Sequence, residues 1–389
     1  MGSFVKSEPE KTVTASSRRL GHIRELDGVR GLAAIMVFFH HLCFTSIEPA
    51  GWGAPVRLLR TVSIAGGYGV DLFFVLSGFL ITSLLIEARG HRSYYHDFYW
   101  KRALRILPLY IACLIGVAIF IPGSRDYVLL SAFFISNFAW IFHVLSNGPF
   151  WTLAIEEQFY LLWPTVVRRR SIAQLRHWAL AIGLGAVLLR FIAAIFGHRN
   201  YYFTFFHCDG LAFGALLAYW YCRKRPAEGI TSRETRAIGI TFLFGLLCVA
   251  IASLPASGER AVSFSAAFLL TGVTLLCGSA IAFLISRTGQ KRLAVLRSPL
   301  LTFFGLISYA MYMTHLYVME AYDHFRGPLV PGDNAAYLLR FVAVLGITIL
   351  LCVLIRYLIE LPAMRLRKYV LAKPTPPTRG EPPVPLGRM

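Results

Sequence analysis

Ten apolar stretches recur along the 389 residues, at roughly 29–46, 68–88, 104–121, 127–166, 178–196, 204–222, 237–255, 262–285, 299–322 and 337–359. Most are close to the 20 or so residues that a helix needs to cross a hydrocarbon core of about 30 Å. Backbone in lipid must satisfy its own hydrogen bonds, so stretches of this length cross as helices. Only 15% of the residues are charged and 56% are apolar, whereas a soluble domain carries about 25% charged residues. The chain is therefore expected to be an all-α polytopic membrane protein with about ten transmembrane helices. One stretch stands apart. Residues 127–166 are too many for a single crossing and are interrupted by the polar SNGP at 146–149. A broken or re-entrant segment is expected there, which a membrane tolerates where the irregular backbone lines a cavity.

The net charge of +19 would suit nucleic acid, but its distribution points to a bilayer instead. With a cytoplasmic N-terminus and one net crossing through 127–166, cytoplasmic segments hold 29 Lys and Arg and external segments six. The remaining four, Arg30, Arg190, Arg340 and Arg356, lie within spans. This asymmetry follows the positive-inside rule and places a multi-pass protein in the cell membrane with both termini cytoplasmic. The seven cysteines (Cys43, Cys113, Cys208, Cys222, Cys248, Cys277 and Cys352) are odd in number and contain no CxxC. They read as packing thiols rather than disulfides. Residues 1–25 form a polar tail with no apolar core of a cleavable signal, and MGSFVKS only partly resembles a myristoylation signal. A single membrane domain is expected over 26–362, then a basic tail over 363–389 whose Pro-rich run from Lys373 is expected to be disordered.

Ionisable residues inside a bilayer are costly and usually mark an internal path. RGLAAIMVFFHH places Arg30 and His41 eleven residues apart, on one helix face and about 16 Å apart along the axis. His40 points about 100° away and reads as structural. Counting residues from the membrane edges puts His41, Ser77 in GVDLFFVLSGFLIT and Glu156 in WTLAIEEQFYLLWP at about one depth. A carboxylate beside a histidine can fix its tautomer and make its other nitrogen a general base; the alternative is a buried pair that positions helices. Arg102 and Arg105, three apart in KRALRILP, share a helix face. With Arg30 they form either a mouth for phosphates or ordinary cytoplasmic anchors. His207 and Asp209 in FFHCDGLAFG offer two ligands without a third, so no metal is expected; Asp209 suits a helix start. Ser308, Tyr309, Tyr312 and His315 recur at helical spacing, either lining a polar cavity or bridging helices. Glu360, at the cytoplasmic edge, is expected to pair with a nearby arginine.

Seven segments, in order, resemble the acyltransferase 3 family of integral-membrane acyltransferases. They are LDGVRGLAAIMVFFHHL, GVDLFFVLSGFLIT, KRALRILPLY, WTLAIEEQFYLLWP, HCDGLAFGALLA, GLISYAMYMTHLY and YLIELP, spanning residues 26 to 362. The resemblance implies transfer of an acyl group, most often acetyl from acetyl-CoA or another acyl-CoA, to a hydroxyl of a sugar, polysaccharide precursor or natural product. It assigns His41 to base chemistry, Glu156 (with Glu157 a second match) to the carboxylate, and Arg30, Arg102 and Arg105 to the phosphates of the donor. Ser77, Asp209, Tyr309 and His315 are weaker candidates for the substrate pocket. The HH pair at 40–41 departs from the commoner aromatic-His pair of the family, without affecting the matched His41. The rival function is a transporter or flippase for a glycolipid or small solute, in which the same buried groups line a path.

Overall fold

The computed structural model describes residues 21–45, 51–144, 148–199, 202–223, 229–327 and 329–371. The N-terminal MGSFVKS, residues 146 and 147 of the SNGP interruption and the run from Lys373 lie outside the described residues. Among the described residues, thirteen helices build the membrane body: α1 (Arg24–His40), α2 (Ala54–Ser63), α3 (Gly69–Ala88), α4 (Tyr94–Phe120), α5 (Arg125–Ala132), α6 (Phe150–Arg169), α7 (Ile172–Ile195), α8 (Thr204–His207), α9 (Asp209–Arg223), α10 (Ser232–Ala252), α11 (Glu259–Ser286), α12 (Pro299–Arg326) and α13 (Asn334–Ile355). Two short turns, Leu361–Arg365 and Arg367–Val370, follow and pack on α4. Among the described residues eight helical segments are long and apolar enough to cross a membrane. The other two expected stretches fall on α6, whose apolarity Glu156 and Glu157 interrupt, and on α9, which has 15 residues.

The 127–166 stretch is broken as expected, into α5, a 3-10 segment at Ser136–Phe142, and α6. Phe134 and His143 both take φ of 55° here, a left-handed conformation uncommon outside glycine. Side chains satisfy the backbone that leaves the helix. Gln158 Nε2 donates to the Phe134 carbonyl at 2.7 Å and to Asn137 Oδ1 at 3.0 Å. Asn137 Nδ2 donates to Thr204 Oγ1 at 3.0 Å, and the Thr204 hydroxyl donates back to Gln158 Oε1, closing a ring between α6, α8 and the break.

Two parallel helix pairs hold the centre, and glycine sets how closely they approach. A Cβ on Gly31 of α1 would meet the Leu301 carbonyl, and one on Gly305 of α12 the Asp27 carbonyl. Likewise a Cβ on Gly78 of α3 would meet the Leu211 carbonyl, and one on Gly214 of α9 the Val75 carbonyl. Association in lipid relies on such small residues because apolar burial gives no driving force between helices there. The α1–α12 register matters most, because it brings Arg30 to Ser308 and His41 to His315.

At the α7–α9–α11 junction, Arg190 and Asp209 form a buried bidentate pair, Nη1 to Oδ1 at 3.1 Å and Nη2 to Oδ2 at 2.6 Å. Arg190 also donates to Thr271 Oγ1 at 3.0 Å and to the Phe206 carbonyl at 2.9 Å. Asp209 is thus committed to holding helices together, which corrects its expected place in a substrate pocket.

Gly214→Leu should lower the midpoint of thermal unfolding in detergent, at the cost of about 1–3 kcal/mol typical of overpacking. Gly239→Leu, where a Cβ meets nothing within 4 Å, should leave the midpoint unchanged. Asp209→Ala strands Arg190 and should cost about 3–5 kcal/mol in the same measurement. The double variant Asp209→Ala/Arg190→Leu should recover most of that loss.

Candidate active site

A cavity of about 960 Å³ opens between α1, α3, α4, α6 and α12. His22, Glu87, His91 and Lys101 line it near helix ends, Arg30, Arg102, Arg105, Ser77, Glu156 and Tyr160 further in, and Phe73, Thr152 and Tyr312 close it. The innermost wall is tied together by the Thr152 hydroxyl, which donates to Tyr312 Oη at 2.8 Å.

The arginines give the cavity its character. Of the four arginines within spans, three meet a carboxylate. Arg190 meets Asp209 at 2.6 Å, Arg340 meets Asp323 at 2.7 Å, and Arg356 meets Glu360 at 2.9 Å. The last bond supplies the partner expected for Glu360. Arg30 donates instead to the neutral Ser308 Oγ, at 3.3 Å. Arg102 lays its guanidinium over the Tyr160 ring, 4.5 Å from the centroid, and Arg105 lies within electrostatic reach of both Arg30 and Arg102. Glu156 faces this group, accepting from Tyr160 Oη at 3.0 Å, while Tyr160 also bonds Ser77 Oγ. Arg30 and Arg102 therefore face Glu156, with Arg105 beside them and Asp27 also on the wall near Arg30. Such a cavity is complementary to a multiply charged anion, and guanidinium forks match phosphate oxygens.

His41 lies elsewhere. α1 ends at His40, and His41–Thr45 form a π-helical turn, a local irregularity frequent at functional sites. The ring that meets His41 is His315 of α12, whose Nε2 lies 3.2 Å from His41 Nδ1, with ring centroids 4.9 Å apart. Neither histidine lines the cavity; the pair sits just past Tyr312, whose carbonyl lies 2.8 Å from His315 Nδ1. This corrects the expected common level of His41, Ser77 and Glu156. Ser77 and Glu156 do meet, through Tyr160, but they do so beside Arg30. Counting from membrane edges misled because helices start at staggered depths. Arg30 is already six residues into α1, about 9 Å deep, and a further eleven residues separate it from His41.

The π turn is held from outside the helix. Arg340 Nη1 donates to the Leu42 carbonyl at 3.2 Å while its Nε and Nη2 grip Asp323 at 2.7 Å each. Tyr337 Oη donates to Cys43 Sγ at 3.4 Å. His40 turns away as expected, its Nδ1 donating to the Ser63 carbonyl at 3.0 Å.

The remaining candidates divide. Tyr309 lines the cavity and donates to the Ile106 carbonyl at 2.9 Å. His207 does not join Asp209; its Nε2 lies 3.2 Å from Asp71 Oδ1. Glu157 leaves its buried Oε1 without a hydrogen-bond partner. Three contributors were not expected from the sequence: Tyr160, Thr152 and Arg340. Tyr160 was findable, standing four residues after Glu156 and so on the same helix face. Arg340 carried the signal of any intramembrane cation.

Comparisons with known proteins give the same class of relative. The chain is 25% identical over 339 residues to the peptidoglycan O-acetyltransferase OatA of Listeria monocytogenes, covering 78% of this chain and 50% of that protein. It is 29% identical over 319 residues to the O-acetyltransferase OatA of Staphylococcus aureus, covering 75% and 49%. It is 36% identical over 164 residues to the putative peptidoglycan O-acetyltransferase YrhL of Bacillus subtilis, covering 37% and 23%. Its matched region thus accounts for about half the length of either OatA. No solved structure matches. The family model described as an acyltransferase domain matches residues 23–357, and on that match, across nearly all of the membrane body just described, the chain belongs to the acyltransferase 3 family.

Proposed function

We propose that this chain transfers an acyl group, in the first place acetyl, from a cytoplasmic acyl-CoA to a hydroxyl of a saccharide, polysaccharide precursor or natural product. The carrying observation is the gathering of Arg30, Arg102 and Arg105 on one wall with Glu156, in a membrane cavity whose innermost wall adjoins the His41–His315 pair. The phosphates of an acyl-CoA supply the anion that such a cavity favours. The arm between phosphates and thioester must then bridge from Arg30 toward His41, about 16 Å along α1. The names of the relatives favour a saccharide hydroxyl as the acceptor, with peptidoglycan the named polymer among them. Both termini are taken as cytoplasmic, so that the helix-end mouth of the cavity faces the donor pool.

His41 acts as the general base. Its Nδ1 lies 2.9 Å from the Val37 carbonyl, which can only accept, so Nδ1 carries the hydrogen and the lone pair is on Nε2. Nε2 removes the proton from the acceptor hydroxyl as its oxygen bonds to the acyl carbon. The carbon–sulfur bond breaks, and the proton returns to the departing thiolate. Ser77, Tyr160 and Glu156 hold one another in place and position Arg102 through the Tyr160 ring.

Release of CoA thiol from acetyl-CoA by the purified chain, with water standing in for the acceptor, tests this directly. His41→Ala should lower the rate by at least about 10²-fold, the lower range for a general base, with CoA affinity retained. Arg102→Gln should raise KM for acetyl-CoA about 10-fold or more, as expected for a lost charge-assisted hydrogen bond. Undiminished turnover in His41→Ala would overturn the assignment of the base. A transporter would leave the thioester intact.

A further inference from the structure

We infer that His315 is the positioning residue of His41: it supports the tautomer that the Val37 carbonyl sets and stabilises the positive charge that His41 gains. The inference rests on His41 as the base and assigns the part that a carboxylate plays in hydrolase triads to a neutral imidazole. Carbonyl oxygens decide the tautomers, because they only accept. His315 Nδ1 lies 2.8 Å from the Tyr312 carbonyl and 3.0 Å from the Met311 carbonyl, so Nδ1 carries the hydrogen and Nε2 the lone pair. That lone pair lies 3.2 Å from His41 Nδ1, whose hydrogen is shared between it and the Val37 carbonyl. Three backbone carbonyls on two helices thus orient both rings and leave the His41 lone pair on Nε2.

The chemistry of lipid surroundings favours this arrangement. A neutral imidazole at His41 Nδ1 brings no ionised group of its own into the bilayer interior, where charge is costly. Two neutral imidazoles carry no charge at rest, and a charge appears only while the acceptor proton resides on His41. The Nδ1–H···Nε2 bond then becomes charge-assisted, roughly twice as strong as its neutral form. Glu156, the carboxylate that the sequence offers for the part, is engaged by Tyr160 and faces the arginines. Helix α12 also links the two halves of the site. Ser308, which accepts from Arg30, and His315 are seven residues apart on it, about 10 Å along the axis. The reaction balances as before: the acceptor proton moves to His41 Nε2 and then to the thiolate, so His315 neither gains nor loses a proton over a turnover.

The test is thiol release from acetyl-CoA by the full chain, alongside thermal stabilisation by CoA, for wild type, His315→Leu, His315→Gln and His41→Ala. His315→Leu cannot accept a hydrogen bond and should lower kcat about 10²-fold, with KM and the CoA-induced shift unchanged. His315→Gln keeps an acceptor oxygen and should recover about tenfold of that loss. Adding His315→Leu to His41→Ala should lower the rate no further, as expected of residues acting as a unit. Wild-type kcat in His315→Leu, or loss of the CoA-induced shift together with kcat, would overturn the inference. Wild-type protein that is stabilised by CoA yet releases no thiol would instead overturn the base assignment, and the inference with it.

Discussion

An ionised side chain inside a bilayer is costly enough that its partner decides where a helix sits. Four arginines impose that demand here, and three are answered by carboxylates. Arg190–Asp209 ties α7 to α9, Arg340–Asp323 ties α13 to α12, and Arg356–Glu360 closes a turn at the end of the last long helix. Arg30 donates to a hydroxyl, and its charged neighbours in the cavity are Asp27, Glu156 and two further guanidiniums. The three paired arginines thus join or close helices, while Arg30 sits in the cavity beside Arg102 and Arg105.

Backbone approach supplies the precision. Gly31 and Gly305 let α1 and α12 touch, and without that closeness neither Arg30 to Ser308 nor His41 to His315 could form. The π turn after His40 then re-aims His41, and Arg340 satisfies the Leu42 carbonyl within that turn while gripping Asp323. A structural ion pair and the position of His41 therefore share one guanidinium.

Much of this was legible in the sequence. Apolar run length gave the helices, the over-long 127–166 run gave the break, and intramembrane charge singled out Arg30, His41 and Glu156. The pairing of those residues was not legible. Helical periodicity fixes which face a residue occupies, but not the depth at which each helix starts, so it sets His41 level with Glu156, whereas the structure brings His41 to His315. Asp209 read as a polar group in a helix start, and nothing local shows that Arg190, nineteen residues earlier, faces it across a helix boundary. The π turn has no periodic signature at all.

Transfer from an acyl-CoA requires that the three-arginine cavity bind the nucleotide end of the donor. Thermal unfolding of the purified chain across a CoA titration measures that binding without an acceptor. A ligand that binds the native state should stabilise by about 2.7 kcal/mol at 100-fold its Kd. The predicted result is a saturable rise for wild type that disappears in Arg30→Gln/Arg102→Gln/Arg105→Gln. No rise in wild type, or an equal rise in the triple variant, would contradict it.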